Sequence, residues 1–483
     1  MRMTLAAIAA AVMLSAPAAA QPVLRDAEIE QWLDDYARPV FKAAGLPADQ
    51  INILLIGDQT PNAFAFGLNM GIQTGLITTA DTPNQVEGVI AHETGHIAGG
   101  HTARSDEAIA SATRPMLLSL VLAAGAIAAG APDAGLGILG LGQTVGYANV
   151  MKFSRGQEAS ADQAAVTYLD AVHHSSAGLI EFFGKLRNYQ IITGNRINPY
   201  MQSHPLAAQR MTSLTERATR SPYYSRKDAP ADIERMKLIQ AKINGFLQDT
   251  NVTLRQYPLS DQSDPALYAR AVAYYRGSMI DKALKEITLL IDKFPDNPYY
   301  QELKGQMLFE SGHVEDSIPP HARSVELAPT KALLRINLGR ALIATEDAAR
   351  YPEAIKELKA ALLIEPDNSF GWYELARAYG GLDNEPMADL ATAESRYHAG
   401  APGEAAVFAR RAQRGLKPGS PEHREAADII AAAQAAGGKK GARAPGPGPD
   451  PEDEEDEDTE DGGDETAPPT ERPEDDVPDP QTD

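Results

Sequence analysis

The spacing of apolar side chains changes along this 483-residue chain, and the changes divide it. Ile29, Trp32, Leu33, Tyr36 and Val40 recur at helical spacing, so residues 21–50 read as an amphipathic helix. Ile51 to Ile56 is a short apolar run that reads as a buried strand. Asn62 to Phe66 and Gly71 to Ile77 read as further strands around a Gly-rich turn. A helix follows, with Thr82 as its N-cap, Pro83 at its first position and Gln85 completing a capping box. Val86, Val89, Ile90 and Ile97 form its apolar face, and Gly99-Gly100 ends it. Met116 to Ala131 is strongly apolar, Pro132-Asp133 interrupts it, and Ala134 to Tyr147 resumes it. Neither half reaches the ~20 residues of a spanning helix, so two short helices beside the preceding one are expected, with peripheral membrane contact open to residues 116–147.

From about residue 264 the pattern repeats. Pro295, Pro329 and Pro366 close successive helical pairs at spacings of 34 and 37 residues. Small residues such as Ala269, Ala283, Gly305, Gly339 and Ala354 fall where paired helices would cross. A period near 34 with small crossing residues is the tetratricopeptide (TPR) pattern, and such arrays offer a concave surface to proteins or peptides. Glu404 to Pro418 looks like a degenerate unit, and Pro421 to Ala436 like a closing helix. From Gly437 the chain is Pro, Gly, Asp and Glu without aromatics and should be disordered. The expected division is therefore a leader at 1–20, a first domain at 21–255, a TPR domain at 264–436 and an acidic tail at 437–483.

Charge and composition narrow the function. The formal net charge is −22, but residues 450–483 carry −17 of it, leaving −5 for the rest. Nothing in that balance suggests nucleic-acid binding. The chain has no cysteine, so a metal would rest on His and carboxylates. Arg2, the apolar Leu5 to Leu14 and Ala18-Ala19-Ala20 have the order of a cleavable secretory signal, which points to a bacterial periplasm.

The chemistry gathers around His92-Glu93-Thr94-Gly95-His96. On a helix, His92 and His96 lie about 40° apart on one face, able to share one Zn²⁺, and Glu93 can reach a water beside it. Glu158 and Asp162 are four apart and share a helical face. Glu158 suits the third ligand, and Asp162 could accept the N–H of a ligating His. His101 would point about 140° from His96 if the helix continued, and reads as a polar or capping residue. His204, before Pro205, could approach the metal or stabilise an oxyanion.

His92 to His96, then Glu158 with Asp162, then His204-Pro205 with Arg210, resemble the gluzincin peptidases, the family of HtpX and the CAAX prenyl proteases. A leader, a broken 116–147 segment and a C-terminal TPR array look most like a periplasmic branch of that family. The resemblance implies an α+β fold: a mostly helical zincin-like metalloprotease domain with a small β-sheet, followed by an all-α TPR solenoid and a disordered acidic tail. It implies one zinc ion on His92, His96 and Glu158, with Glu93 as general base, Asp162 behind the ligands and His204 able to hold the metal's open position. The implied activity is endopeptidase cleavage of misfolded or stalled envelope proteins, with the outer-membrane assembly machinery as a further partner. The rival is a TPR scaffold or chaperone whose protease is mostly latent.

Overall fold

A computed structural model describes residues 23–101, 118–120, 122–123, 154–192 and 199–441. The expected leader, most of the 116–147 segment and the tail beyond Gly441 lie outside the described residues. No helix among the described residues is long and apolar enough to cross a membrane.

The N-terminal part is α+β. Its sheet has the order β1 (Val23–Leu24), β2 (Asn52–Ile56), β4 (Asn69–Gln73), β3 (Ala63–Phe66). β2 and β4 are parallel, and the two flanking pairings are antiparallel. Helix α1 (Ala27–Ala43) is capped by Asp26, whose carboxylate accepts from the Glu28 and Ile29 amides. Its buried Trp32, Leu33, Val40 and Phe41 join Ile51, Leu55, Met70 and Ile72 of the sheet in one core. The expected strand at 71–77 ends at Gln73, and Thr74–Thr79 form the short helix α2. A short apolar run does not by itself separate strand from helix. Here local contacts decide: Gly75 N and Thr74 Oγ1 both donate to the Asp58 carbonyl, and a Cβ on Gly75 would lie 2.2 Å from the Gln59 carbonyl oxygen.

Helix α3 (Pro83–Ala98) runs through the middle of this domain and is buried from Pro83 to His96. Its N-terminus differs from the expected capping box. The Thr82 side chain makes no cap bond and faces Asp228 instead, while Gln85 accepts from the Asp81 amide. Asp228 also accepts from the Asn84 amide at 3.3 Å, so one of the free N–H groups of α3 is served by a distant loop. Residues 154–171 form α4, followed by α5 (Ala177–Ile192), α6 (Pro199–Ser203) and α7 (Ala208–Ala218). Phe182, Phe183, Leu169 and Val166 from α4 and α5 close the core over α3.

Helices α8 (Pro230–Leu247) and α9 (Thr250–Gln256) lead into the second part, which is all helix. Five antiparallel pairs follow: α10 (Asp264–Arg276) with α11 (Ile280–Lys293), α12 (Pro298–Glu310) with α13 (Val314–Leu327), α14 (Ala332–Ile343) with α15 (Tyr351–Ile364), α16 (Ser369–Gly380) with α17 (Glu385–His398), and α18 (Pro402–Gly415) with α19 (Pro421–Gly441). A Cβ on Gly305 would lie 2.7 Å from the His321 ring, and one on Gly339 would lie 2.7 Å from Leu358. Small residues thus sit at the crossings within pairs, as the period requires. The third pair carries an inserted turn at Ala348–Arg350, where the repeat spacing lengthens. The closing helix runs past Ala436 to Gly441, into the stretch that composition assigns to the tail.

The two parts touch through charge as well as packing. Lys242 of α8 is buried between Asp26 at 2.7 Å and Glu28 at 3.0 Å, and Tyr268 of α10 donates to the same Glu28 oxygen at 2.5 Å. Beyond this cluster is a cavity of about 160 Å³ lined by Asp26 and Glu28 on one side and Glu302, Asn337 and Arg340 on the other.

Candidate metal centre

The sequence of α3 places two imidazoles one turn apart, and its burial holds them still. His92 is fully buried and His96 is 8 % exposed. Their Nε2 atoms are 3.1 Å apart. Helix α4 crosses close enough to supply Glu158. Gly95 makes that approach possible, since a Cβ there would lie 2.8 Å from Ala161 Cα. Glu158 Oε2 is 3.4 Å from His92 Nε2, and Oε1 is 3.4 Å from His96 Nε2. His204, just past α6, adds its Nδ1 at 3.4 Å from His92 Nε2 and 3.0 Å from Glu158 Oε1. One donor atom from each of His92, His96, Glu158 and His204 lies within 4.8 Å of all the others. Donors held ~2.0–2.1 Å from one tetrahedral ion would be about 3.3 Å apart, close to the 3.0–3.4 Å of the individual pairs given above.

Glu93 supplies a second test of fit. It is fully buried, neither carboxylate oxygen has a hydrogen-bond partner among the described residues, and the closest imidazole nitrogen, His204 Nε2, is 3.6 Å away. A buried carboxylate without partners is costly unless the site receives a cation, a proton or a polar reactant. The donor set and this orphaned acid together suit a divalent metal with a water beside it.

Arg210 of α7 organises the acidic side. Its Nε and Nη2 donate to the two Asp162 oxygens at 2.6 and 2.8 Å, and its Nη1 pairs with Glu158 Oε2 at 2.7 Å. Its guanidinium lies over Phe183 at 5.1 Å. Asp162 Oδ1 approaches His92 Nδ1 at 3.0 Å, although off the ideal N–H direction. Burial alone would raise the Asp162 carboxyl, but Arg210 and His92 outweigh it and hold it below the usual range. The same contest leaves Glu158 well below it, with His204 and His92 as the partners. Burial disfavours the His92 cation, yet Asp162 and Glu158 together hold this imidazole up at about 9. Burial and the neighbouring His92 push His96 down to about 2. The cluster thus favours positive charge at its centre and a free lone pair on His96.

The structure brings together every residue singled out from sequence: His92, Glu93, His96, Glu158, Asp162 and His204. Three neighbours had no assigned role. Arg210 stood in the quoted His204-to-Arg210 stretch, but sequence gives no measure of its reach to α4. Phe183 packs against His92 at 5.7 Å between ring centres, a contact made by tertiary packing, and Tyr200 stacks on His204 at 4.6 Å across one turn, where the His204 amide donates to the Tyr200 carbonyl. His101, expected to point away, has its Nδ1 2.9 Å from His96 Nδ1. The α3 helix ends at Gly99, so the extrapolated helical angle does not apply.

Residues 24–218 match the model of Peptidase family M48. The chain is 25 % identical over 406 residues to the beta-barrel assembly-enhancing protease of Escherichia coli K12, covering 83 % of this chain and 82 % of the relative. It is 23 % identical over 386 residues to the protease of the same name from Yersinia pestis, covering 78 % and 77 %. Among solved structures it is similar to YrrB, a TPR protein with an unusual peptide-binding site, at 17 % identity and a TM-score of 0.31, covering 40 % of this chain and 97 % of that one.

Proposed function

We propose, for a chain that carries a Peptidase family M48 domain and is a metalloprotease homologous to the beta-barrel assembly-enhancing proteases, that it is a zinc endopeptidase of the periplasm. In this reading His92, His96 and Glu158 hold the metal and Glu93 is the general base. The observation that carries it is the convergence of four donor atoms with the unpartnered Glu93 carboxylate beside them.

Zinc bound there would supply Lewis-acid polarisation of the scissile carbonyl and a more acidic attacking water. Glu93 takes the water's proton and passes it to the leaving amine. Burial of Glu93 excludes bulk water, so no solvent hydrogen bond must be broken first. Asp162 Oδ1, 3.0 Å from His92 Nδ1, favours the proton on that nitrogen and so leaves Nε2 free for the metal. Arg210 spans Asp162 and Glu158 and keeps both carboxylates aimed. His204 stands among the donors and acts as a latch. When it withdraws, the same imidazole can donate to the oxyanion.

The helical pairs after residue 264 would recruit misfolded or stalled envelope proteins and raise their effective concentration near the site. The names of the relatives support outer-membrane protein assembly as the setting, and the leader-like residues 1–20 support the periplasm. The second reading, a TPR scaffold or chaperone with a mostly latent protease, is favoured by the position of His204 against Glu158.

Glu93→Gln keeps the shape of the side chain and removes the base. Peptide cleavage is expected to fall on the order of 10²–10⁴-fold, with zinc content and thermal stability retained. Cleavage at the wild-type rate would sink the mechanism. If cells carrying only this variant still assemble their outer membrane normally, the scaffold reading prevails.

A further inference from the structure

His101 belongs to no donor set, yet it is 8 % exposed and held against a candidate ligand. The end of α3 explains how it comes to be there. Gly100 has φ +60°, its amide donates to the Ile97 carbonyl, and the His101 amide donates to the His96 carbonyl. This is a Schellman ending, which returns the residue after the left-handed position to the side chain five residues earlier. An apolar pair usually fills that contact. Here the pair is His101 on His96, with ring centres 4.9 Å apart and planes at 80°. Gly99 leaves room for it, since a Cβ there would lie 2.4 Å from His101 Nε2. The His101 carbonyl accepts from Gln157 Nε2 at 3.1 Å, which ties this turn to the residue before Glu158.

The nitrogens fix the direction of the contact. His96 Nε2 faces the other donors, so its lone pair is the one a metal would take, and its proton must then sit on Nδ1. That proton points at His101 Nδ1, 2.9 Å away, which must be the acceptor. Two N–H groups could not face each other at this distance. We propose that His101 is a positioning residue: by accepting from His96 Nδ1–H it fixes the tautomer and ring angle of His96 and thereby tightens metal binding. The proposal rests on His96 being a ligand and adds a residue to that site.

The test is zinc affinity of the full chain, measured by competition with a chromogenic chelator, alongside thermal unfolding of the zinc-free protein. Wild type should bind one equivalent and His96→Ala should lose tight binding; failure of that control removes the ligand reading itself. His101→Leu keeps bulk and removes the acceptor, and should weaken zinc binding about 10–100-fold. His101→Asn places an oxygen near the position of Nδ1 and should bind within a few-fold of wild type. The zinc-free proteins should unfold at similar temperatures. His101→Leu binding as tightly as wild type would overturn the proposal. So would His101→Asn binding as weakly as His101→Leu, because the acceptor would then not be what matters. If His101→Leu proves too unstable to measure, Gly99→Ala displaces the ring from the other side, and unchanged zinc affinity in that variant would also overturn the proposal.

Discussion

Among the described residues, the buried charges at the junction of the two parts and those at the centre of the N-terminal part differ in whether their partners suffice. At the junction of the two parts, Lys242 pairs with Asp26 and Glu28, and Tyr268 donates to Glu28. At the centre of the N-terminal part, His92, His96, Glu158 and His204 converge on one point, and both Glu93 oxygens lack a hydrogen-bond partner among the described residues. The first cluster closes on itself and holds α1, α8 and α10 together. The second closes only when something enters it. Burial of charge therefore does not by itself mark a functional centre; unmet hydrogen-bonding and donor capacity does.

The comparison breaks most sharply at Lys242. Lys242→Met removes one member of a buried pair and leaves Asp26 and Glu28 without their cation, which should cost about 3–5 kcal/mol in chemical denaturation. Metal content should be unchanged. If stability is unaffected, the junction cluster is not structural and the contrast fails.

His204→Ala asks the converse question of the second cluster. A latch shut in roughly nine molecules of ten holds activity down about tenfold, so its removal should raise basal peptidase activity by up to that factor. An inert variant with full metal content would instead make His204 necessary to the chemistry.

The smallest effect concerns Glu302 at the edge of the junction. Burial, with Asp26 and Glu28 adding to it, pushes this carboxyl up to about 7, while Lys242 and Asn337 oppose the shift. Its folded-state value lies above its unfolded one, so its contribution to stability is present at low pH and is lost as pH rises through about 7. Glu302→Gln should be close to neutral near pH 4 and stabilising on the order of 1 kcal/mol near pH 8. A difference from wild type that does not change with pH would show that the group is better solvated than its surroundings imply.

One side of this contrast, the candidate metal centre, was legible in the sequence, for identifiable reasons. His92, Glu93 and His96 are a local motif, and helical geometry alone puts both imidazoles on one face. Glu158 and Asp162 declare a shared face in the same way. The repeat after residue 264 is a period, which needs no knowledge of contacts. What stayed hidden depends on termini and distant loops. His101 was misplaced because the double glycine ends α3 with a reversal. Thr82 was expected to cap α3, and its side chain instead faces Asp228 on a loop far along the chain. Thr74 to Ile77 looked like a strand because its helical state is set by the Asp58 carbonyl. The junction cluster gave no signal, since Lys242 is an ordinary lysine until the two parts meet.

Glycines on α3 and on the helix packed against it set one last property. A Cβ on Gly95 would lie 2.8 Å from Ala161 Cα, one on Gly88 would lie 2.7 Å from the Leu179 amide nitrogen, and one on Gly178 would lie 2.5 Å from the Asn84 carbonyl oxygen. Main chain therefore meets main chain on both flanks of α3, with no flexible side chain between to take up slack. His92, His96 and Glu158 behave as parts of one casting. His204 stands apart from this casting: it follows the short α6, and among the described residues no glycine contact of this kind ties it to α3.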